Sequence, residues 1–266
     1  MHIIVCIKQT PKTAKVEIDP KTGLMNREGM EAGINPFDEY AVEEAVRLKE
    51  RVPGSTVSVL TMGPPQAEKA LREAIERGCD DAYLVSGKEF RGADTWATSY
   101  TVQMAIRKIA EKKPFDVIVC GKQTNDGDTG HVGPGIASWL NIPNAAYVGK
   151  VEDVKPDVMR VRRMMEDGYD ILDLPLPCLI SVVKEINEPR VPSLKGKMAA
   201  KKAVITTWDA AAIGAEPGKI GLPGSPTIVA KSFNPPPRKG GEKVPGATAQ
   251  EKAKNLVAKL RELKVI

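Results

Sequence analysis

Cysteine and long apolar runs are both scarce in this chain, and each scarcity excludes a class of protein. The four cysteines, Cys6, Cys79, Cys120 and Cys178, form no C-x-x-C pair. The sequence therefore indicates neither a disulfide framework nor a cysteine-held zinc or iron–sulfur site. The longest apolar runs, such as residues 3–7, are far too short to span a bilayer. Because the first residues lead directly into a strand pattern instead of a signal peptide, we expect a cytoplasmic protein without direct membrane insertion and without a bound metal.

Aromatic residues make up 5% of the chain and are missing from its most basic segment. Residues 184–202 carry six lysine or arginine side chains and two glutamates. Because no aromatic side chain lies among these basic residues to stack on a base, the composition disfavours nucleic-acid binding. The segment instead indicates a surface that docks an acidic protein partner, although a solvated face would have the same composition.

The chain does contain a regular alternation of strand and helix patterns. Four apolar segments have strand character, at residues 2–8, 56–62, 82–86 and 115–120. Helical patterns lie between them, one capped by Asn35 and two at residues 66–77 and 94–112. Such alternation predicts an α/β fold with a doubly wound parallel sheet and right-handed crossovers.

A glycine-rich stretch follows the fourth strand and precedes a further helical pattern. Residues 121–135 read GKQTNDGDTGHVGPG. Four glycines allow positive φ and close approach of the backbone, namely Gly121, Gly127, Gly130 and Gly133. Successive N–H groups and the positive end of the helix dipole can then face an anion, and Pro134 suits a first helical turn. The stretch predicts a phosphate cradle, with a glycine-rich surface turn as the alternative.

The predicted topology brings the first strand beside this loop. Ligands of doubly wound sheets bind beyond the carboxyl ends of the strands, where the strand order reverses. If the order is 3-2-1-4-5, with residues 178–183 as the fifth strand, strands one and four adjoin at that point. Residues 6–9 then lie beside residues 121–132, so two independent arguments predict the same ligand site.

The second half of the chain has a different character. Residues 151–174 alternate in period two around turns, which predicts a hairpin excursion before the return to the sheet. Residues 187–202 lack periodicity. The Pro- and Gly-rich stretch 214–247 cannot build a core of its own and precedes a helix at residues 249–263. We therefore expect a nucleotide-binding α/β domain over residues 1–213 and an extended C-terminal tail over residues 214–266.

Four segments of the chain together resemble the β subunit of electron transfer flavoproteins. They are VCIK at residues 5–8, NPFDEYAVEEA at 35–45, the loop at 121–134, and NEPR at 187–190 continuing to Lys202. Their order and spacing agree with the family as well as their content, and the resemblance spans nearly the whole chain. The segment 161–170 is also similar to a family signature, with Asp170 and Met164 where many members have glutamate and another acidic residue.

The resemblance implies a fold similar to adenine nucleotide alpha hydrolase domains and a heterodimer with an electron transfer flavoprotein α subunit. The tail from about residue 215 would wrap onto that subunit. Some members of the family hold AMP as a structural ligand. Others hold an FAD that accepts hydride from NADH and bifurcates electrons to a high-potential and a low-potential acceptor. Residues 126–134 resemble the bifurcating, Fix-type members more closely, which favours FAD.

The resemblance also implies which residues hold the cofactor, while the flavin performs the chemistry and the chain supplies no catalytic residue. The implied cofactor-binding residues are Cys6, Asn35, Pro36, Phe37, Asp38, Met62, Gly121, Gln123, Thr124, Asp126, Gly127, Asp128, Thr129, Gly130, Val132, Gly133 and Pro134. An aspartate in a glycine-rich loop more often caps its own turn than contacts a ligand, and this alternative stays open for Asp126 and Asp128. His131 has the features of a polar loop residue and not of a catalytic base.

Protein partners are implied by the same resemblance. Leu194, with Lys195 and Lys197 beside it, corresponds to a segment that contacts an acceptor dehydrogenase or quinone oxidoreductase, and a ferredoxin-type protein is the second acceptor. Two other functions remain open, a non-bifurcating subunit with structural AMP and a stand-alone nucleotide-binding domain. The long tail and the absence of the pattern G-x-x-x-x-G-K-[ST] both weaken the stand-alone alternative.

Overall fold

A single large sheet forms the centre of the protein. A computed structural model describes residues 1–11, 17–18, 25–26, 32–230 and 240–266. Its strands are β1 (His2–Cys6), β2 (Gln9–Pro11), β3 (Glu17–Ile18), β4 (Met25–Asn26), β5 (Ala32–Ile34), β6 (Thr56–Met62), β7 (Asp81–Val85), β8 (Val117–Gly121), β9 (Asn144–Val154), β10 (Val158–Met164), β11 (Tyr169–Pro175), β12 (Cys178–Val182) and β13 (Ile205–Trp208). Its α-helices are α1 (Pro36–Arg51), α2 (Glu68–Arg77), α3 (Thr95–Ala110), α4 (Val132–Leu140), α5 (Leu194–Lys202) and α6 (Ala249–Glu262).

The strand order of the sheet confirms the predicted topology. Within the described residues, nine strands join in the order β11-β10-β9-β12-β8-β1-β6-β7-β13. The central five, β7-β6-β1-β8-β12, are parallel and have the predicted order 3-2-1-4-5. Because β1 has β6 on one side and β8 on the other, the order reverses between β1 and β8, as expected for a doubly wound sheet.

Helices cover both faces of the sheet, and β1 shows how the sequence dictates this. Ile3 and Val5 pack into one apolar cluster with α1, α2 and the buried Ala200 of α5. Ile4, between them, points to the other face and packs with α3 and α4. Side chains alternate across a strand, so a strand covered on both faces is apolar at every position. All three side chains are fully buried, and each such burial stabilises the fold by about 1.5–3 kcal/mol.

The predicted hairpin excursion is part of the same sheet. Strand β9 pairs in parallel with β12, and β10 and β11 follow as antiparallel strands at that edge. The buried side chains of Met159, Val161 and Leu174 belong to the same cluster as α1 and α2. The antiparallel strands therefore extend the core instead of leaving it.

Helix α5 and strand β13 are among the elements that were not predicted from the sequence, and both bury few side chains. Helix α5 lies within residues 187–202. This segment has no apolar periodicity, because Ala200 is the one residue that the helix buries. Strand β13 lies at the outer edge beside β7, and of its residues Trp208 alone is buried. Apolar periodicity arises from buried residues at regular spacing, so an element with one buried residue shows no such period and is not predicted from it.

The first part of the predicted tail packs on helix α3. Ile220 is buried in the cluster of α3 and α4, and the backbone N–H of Glu216 donates to the Tyr100 hydroxyl at 3.1 Å. The hydroxyl and backbone N–H of Thr227 donate to Asp94, which also caps α3. The proline-rich residues 231–239 lie outside the described residues. The division at residue 213 stays a prediction.

Truncation of Met159 tests whether the antiparallel strands share the main core. Met159 is fully buried, so Met159→Ala should lower the free energy of unfolding by about 2–5 kcal/mol. The measurement is chemical denaturation of the purified chain. Ile171→Ala is the matched control, because Ile171 on β11 is 50% exposed and its truncation should cost less than about 0.5 kcal/mol. An unchanged global transition in Met159→Ala would contradict the shared core.

Candidate functional site

The carboxyl ends of β1 and β8 lie side by side where the strand order reverses. Cys6 at the end of β1 is the register partner of Cys120 on β8. Helix α1 begins beside these ends, and α4 begins at Val132 after the loop of residues 122–131. Two helix N-termini and one glycine-rich loop therefore surround the position at which this class of sheet binds ligands.

Asp38 connects the backbone segments that meet at this point. It lies in the first turn of α1, where its Oδ2 accepts the N–H of Lys8 at 2.7 Å and its Oδ1 accepts the N–H of Gly121 at 3.2 Å. Burial raises the pKa of this carboxyl to about 7, although those hydrogen bonds, the Asn35 side chain and the Lys8 charge oppose the shift. Both oxygens are engaged by the chain itself, so Asp38 positions the site and need not contact a ligand.

Gly121 is required by the close approach of α1 to β8. A Cβ at this position would lie 2.5 Å from Asp38 Oδ1 and 2.8 Å from Phe37 Cβ. The expectation of positive φ is wrong for Gly121, Gly127 and Gly133, because among the four loop glycines only Gly130, at φ +67°, has it. A glycine is therefore needed at position 121 because α1 packs too close to β8 for a side chain, and not because the backbone makes a left-handed turn.

Asn35 holds the loop and does not cap its own helix. Its side chain makes no capping hydrogen bond to α1, which corrects the sequence prediction. Instead its Nδ2 donates to the Gln123 carbonyl at 2.9 Å, and its Oδ1 accepts the N–H of Asn125 at 3.1 Å. The residue is fully buried, so the start of the loop is held in place from α1.

A second connection to the loop is the ion pair of Lys8 and Asp126. Lys8 Nζ lies 2.8 Å from both carboxylate oxygens of Asp126. Partial burial would raise the pKa of Asp126, but the hydrogen bond and charge of Lys8 hold it below its usual range. The Asp126 carboxylate therefore bonds to Lys8, two residues after β1, and also to the Thr124 side chain and its own backbone N–H, which agrees with the turn-capping alternative left open by the sequence. Lys8, 45% exposed, lies in the segment 6–9 that the topology predicts beside the loop, but the sequence does not identify its pairing with Asp126, 118 positions away.

The outer part of the loop faces solvent. Gly127, Asp128 and Thr129 are exposed, and a Cβ at Gly127 would meet only the Thr124 hydroxyl, at 3.2 Å. Asp128 has φ +55° and accepts a hydrogen bond from the Gln123 side chain. Such a conformation is uncommon for a residue other than glycine and often marks functional loops.

Helix α4 begins directly after this loop. No side chain of the described residues caps its N-terminus, so its first N–H groups are available to an anion. Gly133 is buried against Cys120 of β8, whereas Val132 and Pro134 are half-buried. Together with the exposed loop that the Lys8–Asp126 ion pair holds in place, these donors fit the phosphate groups of a nucleotide.

Cys6 and Met62 lie at the ends of the adjacent strands β1 and β6. Both are partly buried against the cluster of α3 and α4. Burial, with a smaller contribution from the nearby Asp38 charge, raises the pKa of the Cys6 thiol to about 12. The thiol is therefore protonated at neutral pH and forms an apolar wall instead of a nucleophile.

The predicted partner-binding residues lie elsewhere. Leu194, Lys195 and Lys197 are exposed on α5, which packs on α2, away from the loop. In the described ranges, no group of three or more His, Cys, Asp and Glu side chains is arranged to hold a metal ion. None of the helices in these ranges is long and apolar enough to cross a membrane.

Comparison with known proteins places this geometry in a family. A family model described as the electron transfer flavoprotein domain matches residues 22–213. The CarD subunit of the caffeyl-CoA reductase-Etf complex of Acetobacterium woodii is 48% identical over the full length of both chains. The chain belongs to the electron transfer flavoprotein β-subunit family. An electron transfer flavoprotein subunit beta of Megasphaera elsdenii is 46% identical over 91% of this chain and 90% of its own length. Protein FixA of Azotobacter vinelandii is 47% identical over 90% and 85%.

Family membership confirms the resemblance found in the sequence. The match to the flavoprotein subunit CarD continues through the tail to the end of the chain. The tail is therefore shared with at least one flavoprotein subunit and is not peculiar to this chain.

The buried carboxyl of Asp38 makes the stability of this flavoprotein-family chain depend on pH. Its pKa is about 7 in the folded state against an ordinary value of 3.8. Protonation therefore stabilises the folded state, and this contribution is complete below pH about 4 and is lost as the pH rises through about 7. Asp38→Asn cannot ionise. Relative to this variant, the wild type should lose up to about 1.4 kcal/mol per pH unit between pH about 4 and about 7.

The measurement is the free energy of unfolding of both proteins from about pH 5 to about pH 8. The free energy of unfolding of the variant should lack this pH dependence, because its asparagine side chain does not titrate. Asp173→Asn is the control, since the Arg160 hydrogen bond lowers the pKa of that exposed carboxyl and keeps it out of this range. Parallel pH profiles for wild type and Asp38→Asn would contradict the raised pKa.

Proposed function

We propose that this chain is the β subunit of a heterodimeric electron transfer flavoprotein that binds FAD at the ends of β1 and β8. In this proposal the complex accepts hydride from NADH and bifurcates the electrons to a high-potential and a low-potential acceptor. The observation that carries the proposal is the exposed glycine-rich loop between the Lys8–Asp126 ion pair and the uncapped N-terminus of α4. The similarity to CarD and FixA, which are named for an Etf complex and for the Fix system, supports it.

The residues around the loop have distinct roles in this proposal. The backbone of residues 128–133 and the start of α4 would hold the pyrophosphate, and the Lys8–Asp126 ion pair would fix the loop that presents them. Residues 35–38 would border the adenosine half, where Asn35 and Asp38 position the backbone. Cys6 and Met62 would form the apolar wall of the adenine pocket. A bound flavin supplies the capacity to take two electrons together and to release them one at a time.

A cofactor analysis with an anaerobic NADH titration tests this function. The purified complex of this chain with its α subunit should release two FAD per heterodimer on acid extraction, and NADH should bleach the visible flavin spectrum. Gly127→Val should lower the FAD content, because Gly127 is free of backbone strain and its Cβ would project into the open loop. Gly168→Val is the matched control, since Gly168 also has open space around it but lies in the β10–β11 turn.

The same experiment separates the alternatives. One FAD and one AMP per heterodimer, with no bleaching by NADH, would contradict bifurcation and leave a non-bifurcating subunit with structural AMP. Nucleotide bound by this chain in the absence of the α subunit, with no flavin in the complex, would indicate a nucleotide-binding domain alone.

The C-terminal helix supports the proposed contact with the α subunit. Helix α6 begins with a capping box, in which Thr248 and Glu251 bond to each other's backbone N–H groups. Its apolar side chains include Leu256 and Val257, which are 45% and 41% exposed, and it buries none of its residues against the described chain. We propose that the α subunit covers this apolar face.

Helix α5 carries the proposed surface for the high-potential acceptor. Leu194 is 77% exposed, and Met198 lies one turn further along the same side of the helix. Lys195 and Lys197 flank them, so the surface fits a protein with an apolar socket surrounded by carboxylates. The names of the relatives suggest a CoA-ester reductase as the acceptor class.

Truncation of Leu194 tests this surface. Leu194→Ala should raise the KM for caffeyl-CoA reductase of Acetobacterium woodii, used as the protein acceptor, by about tenfold, as expected for loss of a central apolar anchor. Reduction of the bound flavin by NADH should be unchanged, because α5 is remote from the loop. Ile171→Ala, an exposed apolar truncation on β11, is the control. An unchanged KM, or an equal loss of both activities, would contradict the assignment.

A further inference from the structure

The chain between β12 and α5 is attached to α1 by the side chain of Arg190. The Arg190 guanidinium donates to Glu43 at 2.8 and 3.2 Å and to Glu50 at 2.6 and 3.0 Å. The backbone N–H of Arg190 also donates to Glu43, at 3.1 Å. One residue therefore binds two glutamates that lie seven positions, or about two turns, apart on the same helix.

The side chain of Glu43 is only 2% exposed, so its carboxylate depends on the attachment to Arg190. A buried carboxylate is stable only when charged or hydrogen-bonding partners replace the lost water. Arg47, one turn along α1, supplies a further partner at 2.7 Å. Burial opposes ionisation of Glu43, but the two arginines hold its pKa below its usual range. The ion pair is therefore an element of the fold and not a surface contact.

Other contacts fix the rest of the segment. The Asn187 side chain donates to the Tyr40 carbonyl and to Glu44 of α1, at 3.1 and 3.0 Å. Ser193 caps the first turn of α5, and Arg72 of α2 donates to the carbonyl of Ala200 in its last turn. Helix α5 is thus held at both ends by residues outside it.

The close fit of α5 on α2 excludes a looser arrangement. A Cβ at Gly196 would collide with the carbonyl oxygen of Glu76 at the end of α2. With this face against α2, Leu194 and Met198 are left 77% and 55% exposed, and Val191 is 87% exposed. Exposed apolar side chains on a backbone tied down by an ion pair to the buried Glu43 are arranged for contact with another molecule before it binds.

We propose that Arg190 is a positioning residue for the acceptor surface, because it holds residues 187–193 on α1 and so orients Leu194 and Met198 outward. The proposal rests on the acceptor role of α5 proposed above. It identifies Arg190, a member of the basic segment, as structural support and not as one of the free charges that meet the partner. Preorganisation of this kind lowers the ordering cost of docking, so its loss should weaken acceptor binding without changing the flavin site.

The test compares Arg190→Gln with three other variants in the complete heterodimer. Arg190→Lys retains the charge but cannot form paired bonds to two carboxylates, so it should rescue the defect in part. Glu50→Gln is the matched control. Glu50 is the second carboxylate partner of Arg190 and is 58% exposed, and its loss leaves the ion pair of Arg190 with Glu43 intact. Arg160→Gln removes an exposed arginine–aspartate pair elsewhere in the sheet. Arg47 still neutralises Glu43 in Arg190→Gln, which favours correct folding.

Arg190→Gln should increase backbone hydrogen exchange over residues 187–202 and raise the KM for caffeyl-CoA reductase by about tenfold. The turnover number at saturation, the nucleotide content and the NADH-dependent flavin reduction should be unchanged. Leu194→Ala should have a smaller effect in the Arg190→Gln background than in the wild type, because both changes remove the same oriented contact.

The outcomes distinguish this inference from the function on which it rests. If Leu194→Ala alone leaves the KM unchanged, the acceptor surface itself is refuted. If Leu194→Ala raises the KM but Arg190→Gln does not, only the role of Arg190 is refuted. Unchanged hydrogen exchange over residues 187–202 in Arg190→Gln would likewise overturn it, as would a fall in nucleotide content together with the turnover number.

Discussion

The paired hydrogen bonds of one buried carboxylate define the geometry at the centre of this protein. Asp38 accepts backbone N–H groups from the chain after β1 and from the end of β8. These two strands adjoin where the sheet changes direction, and their ends would otherwise present unpaired donors to an apolar interior. The glycine at position 121, the orientation of α1 and the start of the loop all depend on this arrangement. The cost is a carboxyl group whose ionisation is opposed by burial.

Helix α1 links the two surfaces on which the proposed function depends. Its first turn contributes Asp38 and its preceding residue Asn35 holds the loop, whereas Glu43 and Glu50 further along hold Arg190. The acidic and apolar residues of one 16-residue helix therefore serve different neighbours. Its apolar side faces the sheet, and its acidic side chains hold the segment that leads to α5.

The parts of this fold that the sequence predicts are those in which burial imposes a pattern. Apolar runs such as residues 56–62 mark strands covered on both faces, and glycine-rich loops mark the reversal point. The contacts within the site have no comparable pattern. The predicted topology brings residues 6–9 beside the loop, but it does not pair Lys8 with Asp126, 118 positions away. Nor does it pair the Asn35 side chain with the backbone of Gln123 and Asn125. A capping asparagine and a loop-holding asparagine have the same sequence signature. Likewise, α5 carries too few buried residues to show a helical period.

The attachment of the early tail to α3 has a consequence for how the last helix would meet another subunit. Ile220 and Thr227 fix the tail to the domain, and α6 follows after residues 228–248. Because 21 residues span at most about 75 Å even when fully extended, α6 stays within that distance of Thr227, and its local concentration at a nearby surface is high. A helix–surface contact too weak to survive between separate molecules would then be almost fully formed. Binding and release of α6 could therefore be rapid while the two subunits stay together.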